Sequence, residues 1–567
     1  MATAVLRQVS QTMSEASRSA PDGMLAVDIA VDNDSSDDFT VLHIESADSI
    51  GFLYELTNAL TLSGVNIEQV HLKTQHGRVF DTLHITTGDG QRITDDRGIQ
   101  QLRAAIVLIK HFTHLLPQSS APRRALRQFR EFLEEFFKRE DWVEELSSLQ
   151  RTDVLDALAR LLGVSNFLWM DFLRLQHENL FPVVRDVERL RDPRTRFELS
   201  EELQQLLTDC ADADSHRAAL NAFKDREMFR VDMRHILDHC NSFTQFSGEL
   251  TDVADVTVAA AVEFCLSELQ HKYGEPLLAD GSPCAMTVCA LGKCGGRELG
   301  YASDIELMFI YDGPGKTSGP KSIPNASYFE KLVAKFTDAI EARQDGIFEI
   351  DMRLRPYGQA GSPAVELSVF ESYFAAEGAA WPFERQALVK LRPIAGDENF
   401  GGRVVGVRDA IVFESDWFDK FAMRAMREKQ IRQLVSPGSI NAKLSSGGLV
   451  DCEYLVQALQ IRHAREHRAL RTTNTRLAID TLGELGIVNK QDHLRLQSSH
   501  RFLRLLIDAL RMVRGNARDL TVPASNSPDF AFLARHLKFG RNIDALESEL
   551  SNTLAEVNQL VDVLLTE

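Results

Sequence analysis

LGKCGGRELGYASDIELMFIYD, residues 291–312, is the stretch that decides how this chain reads. A glycine-rich turn leads into a strand that begins Asp304-Ile305-Glu306-Leu307. Alternate side chains of a strand share a face. Asp304 and Glu306 are therefore expected to point one way, and Ile305 and Leu307 into a core. Acids spaced like this are most often a solvated face, but here the turn before them and the strand after them argue otherwise. Two carboxylates side by side repel unless cations sit between them. Mg²⁺ takes oxygen ligands and is held through one or two carboxylates plus substrate phosphates. The pair thus predicts a Mg²⁺ site against a triphosphate.

Downstream, residues 348–356 read FEIDMRLRP. Phe348, Ile350, Met352 and Leu354 alternate with Glu349, Asp351, Arg353 and Arg355. If this strand neighbours the first, Asp351 becomes a third ligand. Arg353 and Arg355 would follow on the same face, available for phosphate oxygens. Lys293 and Arg297 flank the glycine turn and are candidates for phosphates, or plain loop charges. Lys390 and Arg392 lie in QALVKLRP. Asp451 and Glu453 fall on a predicted helix, where residues two apart do not share a face. Joint metal binding is not expected there, and either acid could contact the nucleotide or brace the preceding loop. Trp381 and Phe383 read as core. His463 and His467, four apart, read as a solvated helix face rather than a metal pair.

The fold class is α+β, mostly helical. Residues 1–38 end in the acidic run DNDSSDD and read as a mobile tail, though part of LAVDIAV could add an edge strand. Residues 39–116 give the order β-α-β-β-α, a small sandwich with a hairpin signal at His76-Gly77. Residues 123–275 are helical in pattern, as are 401–567, where SPGSINAKLSSGG (436–448) interrupts. Between them, at 276–400, MTVCALG, DIELMFIY and FEIDMRLR read as strands, and GPGKTSGPKS (313–322) as a flexible loop.

The formal net charge of −19 makes the chain a poor non-specific binder of nucleic acid. No apolar run approaches the ~20 residues that span a bilayer, and the N-terminus lacks a secretory core. Seven cysteines in irregular spacing, without a CxxC pair, read as reduced thiols of a cytoplasmic protein.

These blocks resemble the glutamine synthetase adenylyltransferase family, within the polymerase-β-like nucleotidyltransferases. GKCGGRELGYASDIELMFIYD is similar to its active-site stretch and EIDMRLRPYGQAGSPA to its second. AWPFERQALVKLRPIAGD and GGLVDCEYLVQALQIRHAREHRALRTTNT are similar to the next two. The resemblance implies transfer of AMP from ATP to a tyrosine hydroxyl of glutamine synthetase, with Asp304, Glu306 and Asp351 as catalytic metal ligands. It implies nucleotide contacts for Gly295, Gly296, Arg297, Ser303, Arg353, Arg355 and Lys390. Two departures stand out. The second metal carboxylate is typically Asp, where this chain has Glu306, and the family's usual members carry two catalytic halves, where this chain has one. DSIGFLYELTNALTLSGVNI resembles an ACT domain, which implies a free amino-acid effector bordered by Gly51 and Asn66. ACT domains are typical of uridylyltransferases acting on the PII signal protein, which supplies an alternative. The others are phosphorolytic removal of AMP and an inactive sensor.

Overall fold

A computed structural model describes residues 27–47, 64–115, 122–138, 152–164, 188–342, 347–514 and 518–566, with single positions between 53 and 61 and at 183. The chain forms two compact units, residues 1–191 and 192–567. The division falls inside the 123–275 stretch that reads as one helical region, of which 165–182 lies outside the described residues.

In the first unit, strands β1 (Val27–Asp32), β2 (Thr40–Ala47), β3 (Val65–His71), β4 (Thr74–Gln75) and β5 (Arg78–Thr87) form an antiparallel sheet. Its order is β1-β2-β5-β3, with β4 beside β5. LAVDIAV does supply the edge strand: Val27 to Asp32 pair with Ser46 to Val41. His76 and Gly77 turn β4 into β5 with φ of 50° and 74°, the left-handed backbone that a two-residue hairpin needs. Helices α1 (Asp96–Leu115), α2 (Pro122–Phe136) and α3 (Thr152–Val164) follow.

The second unit opens with α4 (Arg196–Thr208), α5 (Ala213–Ile236) and α6 (Phe243–Tyr273). Each starts at a side chain that accepts from a backbone N–H of the first turn: Thr195, Asp212 and Ser242. Then come β6 (Pro276–Leu278), β7 (Met286–Ala290), β8 (Ile305–Tyr311), β9 (Gly315–Thr317), α7 (Asn325–Ala339), β10 (Ile350–Asp351), β11 (Ala364–Glu366), α8 (Leu367–Phe374), α9 (Pro382–Ala387) and β12 (Arg392–Gly396). The main sheet is mixed, in the order β10-β8-β7-β12, with β11 also on β8. β10 and β11 run parallel to β8, and β7 antiparallel to both β8 and β12. Two expectations change. FEIDMRLR yields only the two-residue β10, and the supposed flexible loop GPGKTSGPKS contains β9, which pairs with β6.

The chain ends in α10 (Glu398–Asp409), α11 (Lys420–Leu434), α12 (Leu449–His463), α13 (Thr475–Glu484), α14 (Lys490–Arg514), α15 (Pro528–His536) and α16 (Ile543–Thr566). The alternation of β8 sorts its neighbours. Phe309 meets Phe336 of α7, ring centroids 5.1 Å apart, and Tyr311 stacks on Phe329 at 4.7 Å. Met308 and Ile310 enter the same core as Leu449, Leu455, Leu503 and Leu560 of the C-terminal helices. Asp304 and Glu306 share the even-numbered face of β8 with Met308 and Ile310. The acids therefore lie at the rim of the face that the C-terminal helices cover. No helix among the described residues is long and apolar enough to cross a membrane.

Candidate active site

Main-chain bonds set the three acids side by side. Phe348 N donates to Ser303 O, and Ile305 N to Glu349 O, each at 2.9 Å. The parallel register then puts Asp351 opposite Glu306. One oxygen from each of Asp304, Glu306 and Asp351 lies within 4.8 Å of the others, and all three residues are half-buried. Among the described residues this is the one cluster of metal-ligating type. An all-oxygen donor set suits a hard divalent cation. Burial and the neighbouring Asp304 and Asp351 push the Glu306 carboxyl up, against the pull of Lys293 and Lys443. Burial also pushes Asp351 up, but Arg353 outweighs it, donating from Nη2 to Oδ2 at 2.6 Å and from Nε to Oδ1 at 3.0 Å.

Gly292, which the sequence gave no reason to single out from its neighbours, is what makes room for Glu306. Its φ is +50°, and a Cβ there would lie 1.3 Å from Glu306 Oε2. The longer acid rests against bare backbone. Gly295 is also accounted for by packing: its Cβ would lie 1.9 Å from Lys390 O and 2.7 Å from Ala290 O.

The turn that delivers Asp304 is held by one face of α14. Arg504, Asp508 and Arg511 sit at helical spacing on that face. Arg504 Nη2 donates to Glu298 O. Asp508 Oδ1 accepts from Tyr301 N at 2.7 Å. Arg511 Nη1 donates to Tyr301 O at 3.0 Å and to Ser303 Oγ at 3.2 Å. Asp508 Oδ2 also pairs with His235 Nε2 of α5 at 3.3 Å. Ser303 Oγ donates in turn to Gly300 O at 2.9 Å, so its hydroxyl is occupied inside the turn.

A family model described as glutamate-ammonia ligase adenylyltransferase matches residues 155–406, the span that holds all three acids. Over that span the chain is similar to the glutamine synthetase adenylyltransferase family. A second family model, described as GlnD PII-uridylyltransferase, matches residues 419–565. Similar curated proteins carry the name bifunctional glutamine synthetase adenylyltransferase/adenylyl-removing enzyme. That of Pseudomonas aeruginosa is 31% identical over 329 residues, 57% of this chain and 33% of the relative. That of Acinetobacter baylyi is 31% identical over 337 residues, 57% and 35%. That of Shewanella oneidensis is 28% identical over 431 residues, 74% and 44%. The chain thus spans less than half the length of the curated relatives it matches.

The basic residues named from sequence divide. Arg353 stays at the acids. Arg355 Nη1 donates to Met352 O at 2.8 Å. Because β10 ends at Asp351, the two arginines do not continue along its face as the alternation implied. Arg297 turns to α6, where its Nη1 lies 3.0 Å from Asp252. Arg392 grips Asp255 through two bonds of 2.7 and 2.9 Å and donates to Gly295 O and Cys294 O. Lys390 is buried, its Nζ 2.6 Å from Glu298. Glu298 also accepts from Thr475 N.

Asp451 braces the loop before it. It accepts from Gly447 N at 2.7 Å and pairs with Arg427, which donates to Leu444 O and Ser445 O. Trp381 and Phe383 are not core. They are 66% and 43% exposed and line a 520 Å³ cavity with Trp417, Phe418 and Met426. The inward positions of the short helix α9 go instead to Arg385 and Gln386. His463 ends α12 and His467 lies beyond it, so they share no helix face. Asn66 is exposed and its Nδ2 donates to Thr87 O at 3.4 Å; Gly51 lies outside the described residues. All seven cysteines are free.

Proposed function

We propose that this chain transfers AMP from ATP to a tyrosine hydroxyl of glutamine synthetase, with Mg²⁺ held by Asp304, Glu306 and Asp351. The observation that carries this reading is the convergence of three acids within 4.8 Å inside the span matched by the adenylyltransferase family model. The residues fit the ion: three oxygen donors stand together, and a bare glycine makes room for the longest of them. Bound divalent cations would lower the nucleophile's pKa and stabilise the departing pyrophosphate. The protein's own groups do the rest. The α14 face fixes the turn that presents Asp304. Asp351, kept ionised by Arg353, is the group placed to accept the proton of the attacking hydroxyl. Arg353, 72% exposed at its side chain, is free to swing from Asp351 to a phosphate. The first unit, with its antiparallel sheet and following helix, reads as an ACT-like regulatory module for a free amino acid. Seven free cysteines accord with a reducing, cytoplasmic setting.

The test is incubation of the purified chain with labelled ATP or UTP and either glutamine synthetase or PII protein, with and without glutamine. Label from ATP on glutamine synthetase is the expected result. Label from UTP on PII would replace this reading with uridylylation, the activity in the description of the model that matches residues 419–565. Phosphate-dependent release of ADP from modified glutamine synthetase would reverse the direction. A chain that binds no metal-nucleotide would be an inactive sensor.

A further inference from the structure

Resting on the nucleotidyl-transfer reading, we propose that Lys443, together with Lys293, binds the β- and γ-phosphates of the nucleotide and retains the pyrophosphate as it leaves. Lys443 belongs to the interruption before α12, a stretch with no assigned role. Its neighbours Ala442 and Leu449 are buried in the same core as Met308 and Ile310 of β8. The loop is thereby anchored on the face of the sheet whose rim carries the acids.

The loop is also rigid. Asn441 Oδ1 accepts from Lys443 N at 3.0 Å and Leu444 N at 2.9 Å, and Val450 N donates to Lys443 O at 3.1 Å. Gly447, at φ +77°, packs so tightly that a Cβ would lie 2.1 Å from Leu554 O. Together with the Asp451–Arg427 pair, these contacts hold the backbone of Lys443 in one place.

Its side chain is left open. Lys443 and Lys293 are both half-buried, and among the described residues neither ammonium has a hydrogen-bond or ion-pair partner. Both lie within electrostatic reach of Glu306 and of each other. The other basic groups around the turn are engaged: Arg504 and Arg511 on the turn, Lys390 on Glu298, Arg353 on Asp351. Arg511, Lys443 and Arg504 all stand within electrostatic reach of Lys293, so positive charge gathers beside the acids. Divalent cations on the three acids would offset the negative charge that faces these two lysines. A polyanion between metal and lysines restores the balance, and a nucleoside triphosphate or pyrophosphate has that shape and charge.

The experiment measures binding of ATP, AMP and pyrophosphate to the full chain by calorimetry in millimolar Mg²⁺. K443M should weaken ATP and pyrophosphate about tenfold, the scale of one charge-assisted contact, and leave AMP within about twofold. K443R should recover most of the loss. Equal weakening of ATP and AMP, or unchanged pyrophosphate binding, overturns the assignment. Should K443M fail to fold, K293M must show the same selective loss, and its absence overturns the proposal equally. A chain that binds pyrophosphate in a Lys443-dependent way yet labels neither acceptor would sink the acceptor assignment alone. Selective labelling of glutamine synthetase undiminished in K443M would sink this inference alone.

Discussion

Glu298 and Glu306 stand in the same segment, and their surroundings are opposite. Glu298 is 5% exposed, paired with Lys390 and capped by Thr475 N. Burial pushes its carboxyl up, but Lys390, Arg504 and His500 together hold it well below the usual range. Glu306 has two other carboxylates as its closest acidic company and is pushed up. The protein has satisfied the first acid and left the second among like charges. One builds the site. The other stands clustered with Asp304 and Asp351.

The largest effect should come at the clustered acids. Asp304→Ala should take AMP incorporation to background while leaving the melting temperature unchanged or slightly raised, because it relieves repulsion. Loss of fold in that variant would break the contrast, since Asp304 would then be a structural acid. Next is Gly292→Ala. Its Cβ falls on Glu306 Oε2, so the acid must move, and a displacement of about 1 Å at a reacting centre can cost about a hundredfold in rate. Steady-state rates near wild type would show that Glu306 is not held where it is needed. At the satisfied acid the readout changes. Glu298→Gln leaves the buried Lys390 with Glu453, 3.7 Å away, as its remaining acid among the described residues and should cost about 3 kcal/mol in urea unfolding. A loss below about 1 kcal/mol would mean the pair is not the strut it resembles.

The smallest effect concerns pH. Burial holds His500 neutral, with its pKa lowered from 6.5 to about 4. The unfolded chain therefore binds this proton more readily than the folded one. The stability is fully present above about pH 6.5 and is lost as pH falls towards about 4, at about 1.4 kcal/mol per pH unit at most. His500→Gln should flatten the fall in unfolding free energy between pH 6.5 and 4.5. Part of the slope will persist, because His536 is lowered to about 4 as well. Parallel pH profiles for the two proteins would remove His500 from the satisfied network.

The three acids and the strands β7 and β8 were legible because alternation and a glycine turn are local signals. The length of β10 was not. Its alternation continues through Leu354, but the chain leaves the sheet after Asp351. Tyr357 takes a left-handed φ of 62°, and Gly361 packs where a Cβ would lie 2.0 Å from Pro356 O. Glu298 was opaque for another reason: its partners Lys390, Thr475 and Arg504 arrive from distant parts of the chain. Gly292 looked like any turn glycine until the reach of Glu306 was known. The three-residue strands β6, β9 and β11 are too short to carry a periodic signal.

The stripe Arg504–Asp508–Arg511 on α14 bears on how such a protein can be inherited. The turn presenting Asp304 borrows its shape from a helix two hundred residues downstream. A gene rearrangement that kept the acidic sheet and replaced the helices after it would bring the three acids along but lose the contacts that aim Asp304. Exchanging these helices for others is therefore expected to disturb the site even where all three acids are kept.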